Sequence, residues 1–126
     1  MSAYRYAYRR LPVNADEGFP QAFRFAVDGG SYVVELAVTV VDEDLLRNET
    51  PLVLPRPGAY LVMVVSREGP GAAAVVFRRK VVPRHEYDAA ELAFVFEEMV
   101  VDRRNLNAAG AFGSRLTAGV ATRWAL

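Results

Sequence analysis

Hydrophobic and polar residues alternate along much of the first half of this chain with the period of a β-strand. In AFRFAV (22–27), Phe23, Phe25 and Val27 fall on one face and Arg24 on the other. In YVVELAVTVV (32–41), Tyr32, Val34, Leu36, Val38 and Val40 share a face, while Glu35 and Thr39 point away. Alternation with period 2 marks a sheet with one buried side. Between the two runs, DGGS (28–31) supplies glycines where a tight hairpin needs positive φ. A second hairpin follows: AYLVMVVSRE (59–68), the turn GPGA (69–72), then AAVVFRRKVV (73–82). The N-terminal AYRYAYRRL (3–11) also alternates, with Tyr4, Tyr6 and Tyr8 on one face. DEDLLRNETP (42–51) breaks the alternation with charge and reads as a loop or a single helical turn. LPRPG (54–58) reads as a stiff, extended link, because each proline biases the residue before it away from helix.

The period changes in YDAAELAFVFEEMVV (87–101). Asp88 can cap a helix with Glu91 three residues on, and Tyr87 can pack on Leu92 as a hydrophobic staple. Leu92, Val95, Phe96, Met99 and Val100 then lie on one helical face. A regular strand would send Glu97 and Glu98 to opposite faces and spoil both. A helix over 88–101 is therefore predicted, with a strand as the alternative. The tail NAAGAFGSRLTAGVATRWAL (107–126) has three glycines and no steady period, which fits a kinked strand pair or an extended segment over a groove. The predicted fold is mainly β: an antiparallel sandwich or barrel built from hairpins, with one helix near residues 88–101, or all-β if that segment is a strand. No repeat or linker interrupts the chain, so a single domain over 1–126 is expected.

Composition narrows the class. The chain has 126 residues, 52% of them hydrophobic and 24% charged, which belongs to compact proteins and not to disordered ones. Its 15 basic and 15 acidic residues cancel, so the overall positive field that draws proteins to nucleic acid or anionic lipid is missing. There is no cysteine, which removes disulfides, thiolate metal sites and cysteine nucleophiles. His85 is the one histidine, and Lys80 the one lysine among many arginines. Arginine suits planar, bidentate contacts at interfaces. The start MSAYRYAYRRLP lacks an apolar signal-peptide core, and the longest apolar run, AYLVMVV (59–65), is far short of the roughly 20 residues of a membrane-spanning helix. A cytoplasmic or virion-associated protein is expected, not secreted by a signal peptide and without membrane partners.

Several motifs resemble chemical sites in part. Gly110-Ala111-Phe112-Gly113-Ser114-Arg115 has the glycine spacing of a phosphate-wrapping loop but lacks the lysine, the third glycine and the strand–loop–helix setting such loops use, so structural glycines are expected. Asp42-Glu43-Asp44 lacks the rest of a calcium loop. His85-Glu86 has diverging side chains, and Ser2, Ser31, Ser66 and Ser114 lie in no nucleophile elbow. Glu97-Glu98 reads as a polar face paired with Arg103 or Arg104. Arg78-Arg79-Lys80 with the tyrosine–arginine start is the best basic and aromatic combination for stacking single-stranded nucleic acid, but Arg78 and Lys80 share a strand face that Arg79 does not. Nucleic-acid binding is not expected.

No catalytic set, metal site or cofactor emerges. The reading that survives is a non-catalytic assembly module, a β-rich subunit packing against copies of itself or larger partners, of the kind common in phage tails and injection machines. A ligand-binding barrel is the alternative, and a nucleic-acid-binding domain comes after it. The candidate interface comprises Tyr4, Tyr6, Tyr8, Arg78, Lys80, Phe112, Arg115, Arg123, Trp124 and Leu126. Trp124 and Leu126 would fray unless docked, so deletion of 121–126 is expected to weaken self-association more than it lowers the melting temperature.

Overall fold

In a computed structural model of the chain, which describes residues 4–47, 50–71 and 74–124, the strands in order are β1 (Arg9–Arg10), β2 (Gln21–Val27), β3 (Gly30–Val40), β4 (Leu52–Val53), β5 (Ala59–Arg67), β6 (Ala74–Val81), β7 (Tyr87–Ala89), β8 (Leu92–Val101) and β9 (Arg115–Thr122). The alternating runs fold as they read. β2 and β3 pair with Val27 opposite Gly30, leaving a two-residue turn in which Asp28 (φ 47°) and Gly29 (φ 81°) are both left-handed. That geometry gives a two-residue turn the twist of its strands. β3 pairs with β5 and β5 with β6, all antiparallel, giving a sheet of order β2-β3-β5-β6. Its inner face presents Tyr32, Val34, Leu36, Leu61, Met63, Val65 and Val81, all buried. A bulge opposite Val65 and Ser66 puts Val76 out of register, so that Phe77 faces inward and Arg78 outward.

The other sheet runs β1-β9-β8-β4, with β7 on the same edge of β8 as β4. Here the predicted helix over 88–101 is wrong: the segment is the β7–β8 hairpin, turning at Ala90 (φ 56°) and Glu91, with Asp88 opposite Ala93. The physical reason is a bulge. Between Phe96 and Glu98 the register against β9 slips by one residue, so the inward positions run Leu92, Phe94, Phe96, then Met99 and Val101. That slip allows Glu97 and Glu98 both to be exposed, and it inserts a spacing of three that imitates a helical stripe. The all-β alternative is the one observed. In the tail, residues 115–122 form a single strand, β9, between β8 and β1.

The connections depart from expectation in detail. The charged segment after β3 makes a one-turn 3₁₀ helix, Glu43–Leu46, whose first amides are capped by Asp42. LPRPG is not simply extended: Arg56 and Ala59 bond to each other across a tight turn with Gly58 at φ 89°. A side chain on Gly58 would lie 2.5 Å from the Asp42 Cβ. Of the N-terminal alternating run, only Arg9 and Arg10 join a sheet, opposite Val120 and Gly119.

The two sheets face each other over one shared core and do not close into a barrel. Phe94 of β8 meets Phe25 of β2 edge-on at 6.2 Å, and Phe77 of β6 meets Tyr87 of β7 at 5.9 Å. At one end a polar clamp ties the layers together. Tyr32 donates to the Glu91 carboxylate at 2.5 Å, and the Arg67 guanidinium donates to both oxygens of the same group. Arg67 first and Tyr32 second hold the Glu91 carboxyl down at about 2.

Two outcomes follow from this packing. Phe94→Ala should lower unfolding free energy by about 3–5 kcal/mol in denaturant titration, because a fully buried ring leaves a cavity between the layers. Glu91 has a folded pKa below its ordinary 4.5, so its contribution is complete above that value and is lost as pH falls towards about 2. Glu91→Gln should therefore cost about 1 kcal/mol at pH 7 and much less at pH 2, read as converging melting temperatures by circular dichroism.

Candidate functional site

Tyr4, Arg5, Tyr6 and Tyr8 form a strap against the outer side of the β1-β9-β8-β4 sheet. A flat strand face would leave Ala93, Val95 and Ala121 in water, yet all three are buried. Tyr8 is packed over Gly119, where an added side chain would meet the Tyr8 Cβ at 3.0 Å, and Tyr4 and Tyr8 line a cleft with Val95 and Thr117. The strap is pinned by carboxylates from the sheet below. Tyr4 donates to Glu97 at 2.5 Å, Tyr8 donates to Glu86 at 2.8 Å, and the Arg5 amide donates to Glu86 at 2.9 Å. The Arg5 guanidinium also reaches Glu86 at 3.3 Å and Asp88 at 3.2 Å. Burial raises the Glu86 carboxyl, but the hydrogen bonds from Tyr8 and Arg5 outweigh it and hold the group below its ordinary value. Burial, then the same carboxylate, pushes the Tyr8 phenol well up. The three tyrosine rings pack edge-to-face, Tyr4 on Tyr8 at 5.6 Å and Tyr6 on Tyr8 at 6.4 Å.

Of the remaining candidates, only Arg123 reaches the strap among the described residues. Arg123 donates to the Ala90 carbonyl and reaches Asp88 at 3.6 Å, so it converges with Arg5 on one carboxylate. Trp124 is exposed, and Leu126 lies outside the described residues. Ala121 and Thr122 are buried in β9, so deletion of 121–126 cuts into the core and cannot separate association from stability. Arg115 pairs with Glu98 at 2.8 Å, and Phe112 lies under the Arg104 guanidinium at 4.5 Å. Glu97 and Glu98 thus bind Tyr4 and Arg115 in place of the expected Arg103 or Arg104. Arg78 and Lys80 stand on the outer face of the other sheet, with the Lys80 ammonium 4.0 Å from the Tyr60 ring centroid. Arg79 points inward, over the Tyr87 ring at 5.4 Å. The strap tyrosines and the Arg78–Lys80 run therefore lie on different sheets and form no common patch.

The glycine loop is occupied by its own chain. The Gly110 amide donates to the Asp16 carbonyl at 2.8 Å, and a side chain on Gly110 would strike the Phe112 ring. Ser114 accepts from the Asp102 amide at 2.7 Å and donates to Asn105 at 2.5 Å. Asn105, fully buried, in turn donates to the Ala108 and Gly110 carbonyls. Arg104 holds the Asp102 carboxyl at about 2 through paired hydrogen bonds. Ser31 donates to Glu68, and His85 stands edge-on to Tyr87 at 4.6 Å, so neither serine is directed at the imidazole.

The outer face of β2-β3-β5-β6 is different, because no strap crosses it among the described residues. Ala22, Ala37, Val62 and Val64 floor a shallow groove of about 560 Å³, with Glu35 and Arg78 rising from it. Neither charge has a hydrogen-bond or ion-pair partner among the described residues. No local pattern announces Glu86, Asp88 and Glu97 as the carboxylates that hold the strap, because their contacts span 78 to 93 residues of chain. Compared with known proteins, the chain matches no family model, no curated protein and no solved structure.

Glu86→Ala leaves Tyr8 and Arg5 without their acceptor. It should lower stability by about 1–2 kcal/mol and speed tryptic cleavage after Arg5, read by mass spectrometry.

Proposed function

We propose that this chain is a non-catalytic assembly module, a small β-rich subunit that packs against copies of itself or larger protein partners. The observation that carries this reading is an asymmetry of sheet edges. In the first sheet, β9 receives β1 and the Leu11 amide along part of its edge, while β8 receives β4, β7 and the Arg84 amide. In the second sheet, β2 and β6 have no backbone partner on their outer sides among the described residues. Open edges and the apolar side chains beside them are where another chain adds. Val75 at the start of β6 is 55% exposed, and Trp124 is 65% exposed. Arginines with no ion pair among the described residues, such as Arg78, add the planar donors that protein interfaces favour. This reading goes with a cytoplasmic or virion-associated location and with an oligomer or larger assembly.

The test is the solution mass of the purified chain by light scattering across a wide concentration range. A discrete oligomer, or a mass that climbs with concentration, is the expected result. A monomer throughout would remove the self-packing form of the proposal.

A further inference from the structure

We infer that two copies of this chain dock face to face through the outer surface of the β2-β3-β5-β6 sheet, with register set by Glu35 and Arg78. The inference rests on the assembly reading and names its surface and its occupant.

The sheet register places side chains on this face in cross-strand rows. One row reads Ala22, Glu35, Val64, Arg78 across the four strands. Glu35 and Arg78 flank Val64 symmetrically, each one strand away, roughly 5 Å to either side. They do not pair with each other in the single chain. A two-fold axis lying parallel to the strands above Val64 exchanges the two sides of the row. It sets Glu35 of each copy against Arg78 of the other and Val64 against Val64, forming two equivalent ion pairs around an apolar centre. An isologous interface needs this self-complementarity.

Neighbouring rows obey the same operation. The row through Ser66 carries half-buried Val33 on β3 and exposed Val75 on β6, so the axis lays Val33 of one copy on Val75 of the other. The row through Val62 carries Ala37 and Lys80, and the ammonium is already seated on the Tyr60 ring, which leaves the lysine stem over the second copy's alanine. Edge pairing through β6 is the competing route, and it is opposed by charge. Antiparallel β6–β6 pairing about Arg79 would set Arg78 beside Lys80 of the other copy, and like charges across strands destabilise.

The face is modest in size. Four strands by seven residues span roughly 19 by 24 Å, which belongs to the weak, reversible class of interface. Association should therefore rise with concentration and fall with salt.

The experiment is sedimentation equilibrium of the full chain at low salt, comparing wild type with Glu35→Arg, Arg78→Glu and the double exchange. Both positions are exposed, so the variants should keep the wild-type melting temperature, checked by circular dichroism. Each single reversal should weaken self-association at least about tenfold, and the double exchange should restore it to near wild type. Wild-type association that ignores the single reversals, or a double exchange that does not restore it, overturns this interface while leaving the assembly reading in place through the β2 edge. A wild-type chain that stays monomeric overturns the inference together with self-packing and leaves only larger partners.

Discussion

Covering β8 on both faces is the constraint that the other elements serve. Its inner residues Leu92, Phe94, Phe96, Met99 and Val101 meet the opposing sheet, and its outer Ala93 and Val95 are buried as well. A stretch with no wet face, here Leu92–Phe96, must have partners along its edges and a lid over its back. β9 provides one edge, while β4, β7 and the Pro83–Phe96 bridge divide the other. The tyrosine strap provides the lid. Its chain is short and polar enough to need anchoring, and Glu86, Asp88 and Glu97 supply that from the sheet it covers.

Charge is distributed to match. The face under the strap, the interlayer end at Glu91 and the loop at Asp102 each neutralise an arginine against a carboxylate within the chain. No buried side-chain nitrogen or oxygen among the described residues lacks a partner. These pairs tie loops and layers together, and breaking one would leave a partly buried carboxylate without its donor. On the far side of the molecule Arg24 pairs with Glu68 at 3.2 Å, but the pattern stops at the groove. Glu35 and Arg78 stand apart on an apolar floor, and among the described residues the strands that bound it have open edges. Among the described residues, one face is covered by a strap of its own chain and the other is not.

Much of the β2-β3-β5-β6 sheet was legible in the sequence because the outer sides of β2 and β3 carry exposed polar residues such as Arg24 and Glu35. Phe23, Phe25 and Val27, or Tyr32, Val34 and Leu36, fall on one face by period alone, and Asp28-Gly29 carries the left-handed turn. The β7–β8 hairpin was not legible. Double burial erased the alternation in Leu92–Phe96, and the bulge at Glu97 shifted its phase, so a helical stripe fitted better than a regular strand. The candidate residues fared in the same way. Arg78 and Lys80 were correctly set on one strand face, but the partners of Tyr4 and Tyr8 are carboxylates that follow some 80 to 90 residues later, and no local pattern announces them.

The sequence alone determined the class: a cysteine-free, charge-balanced, mainly β chain of antiparallel hairpins, with the turn at 28–29 and the inner face of the first hairpin written in its residues. Those features depend on local chemistry, on alternation and on backbone freedom. Only the tertiary structure decided that residues 87–101 form a hairpin, that the N-terminal tyrosines lid a sheet, and that the glycine loop closes on Asp16 and Asn105. It also set Glu35 and Arg78 in one row. Each of these depends on which segments distant in sequence are brought together, and local alternation and turn chemistry do not encode that.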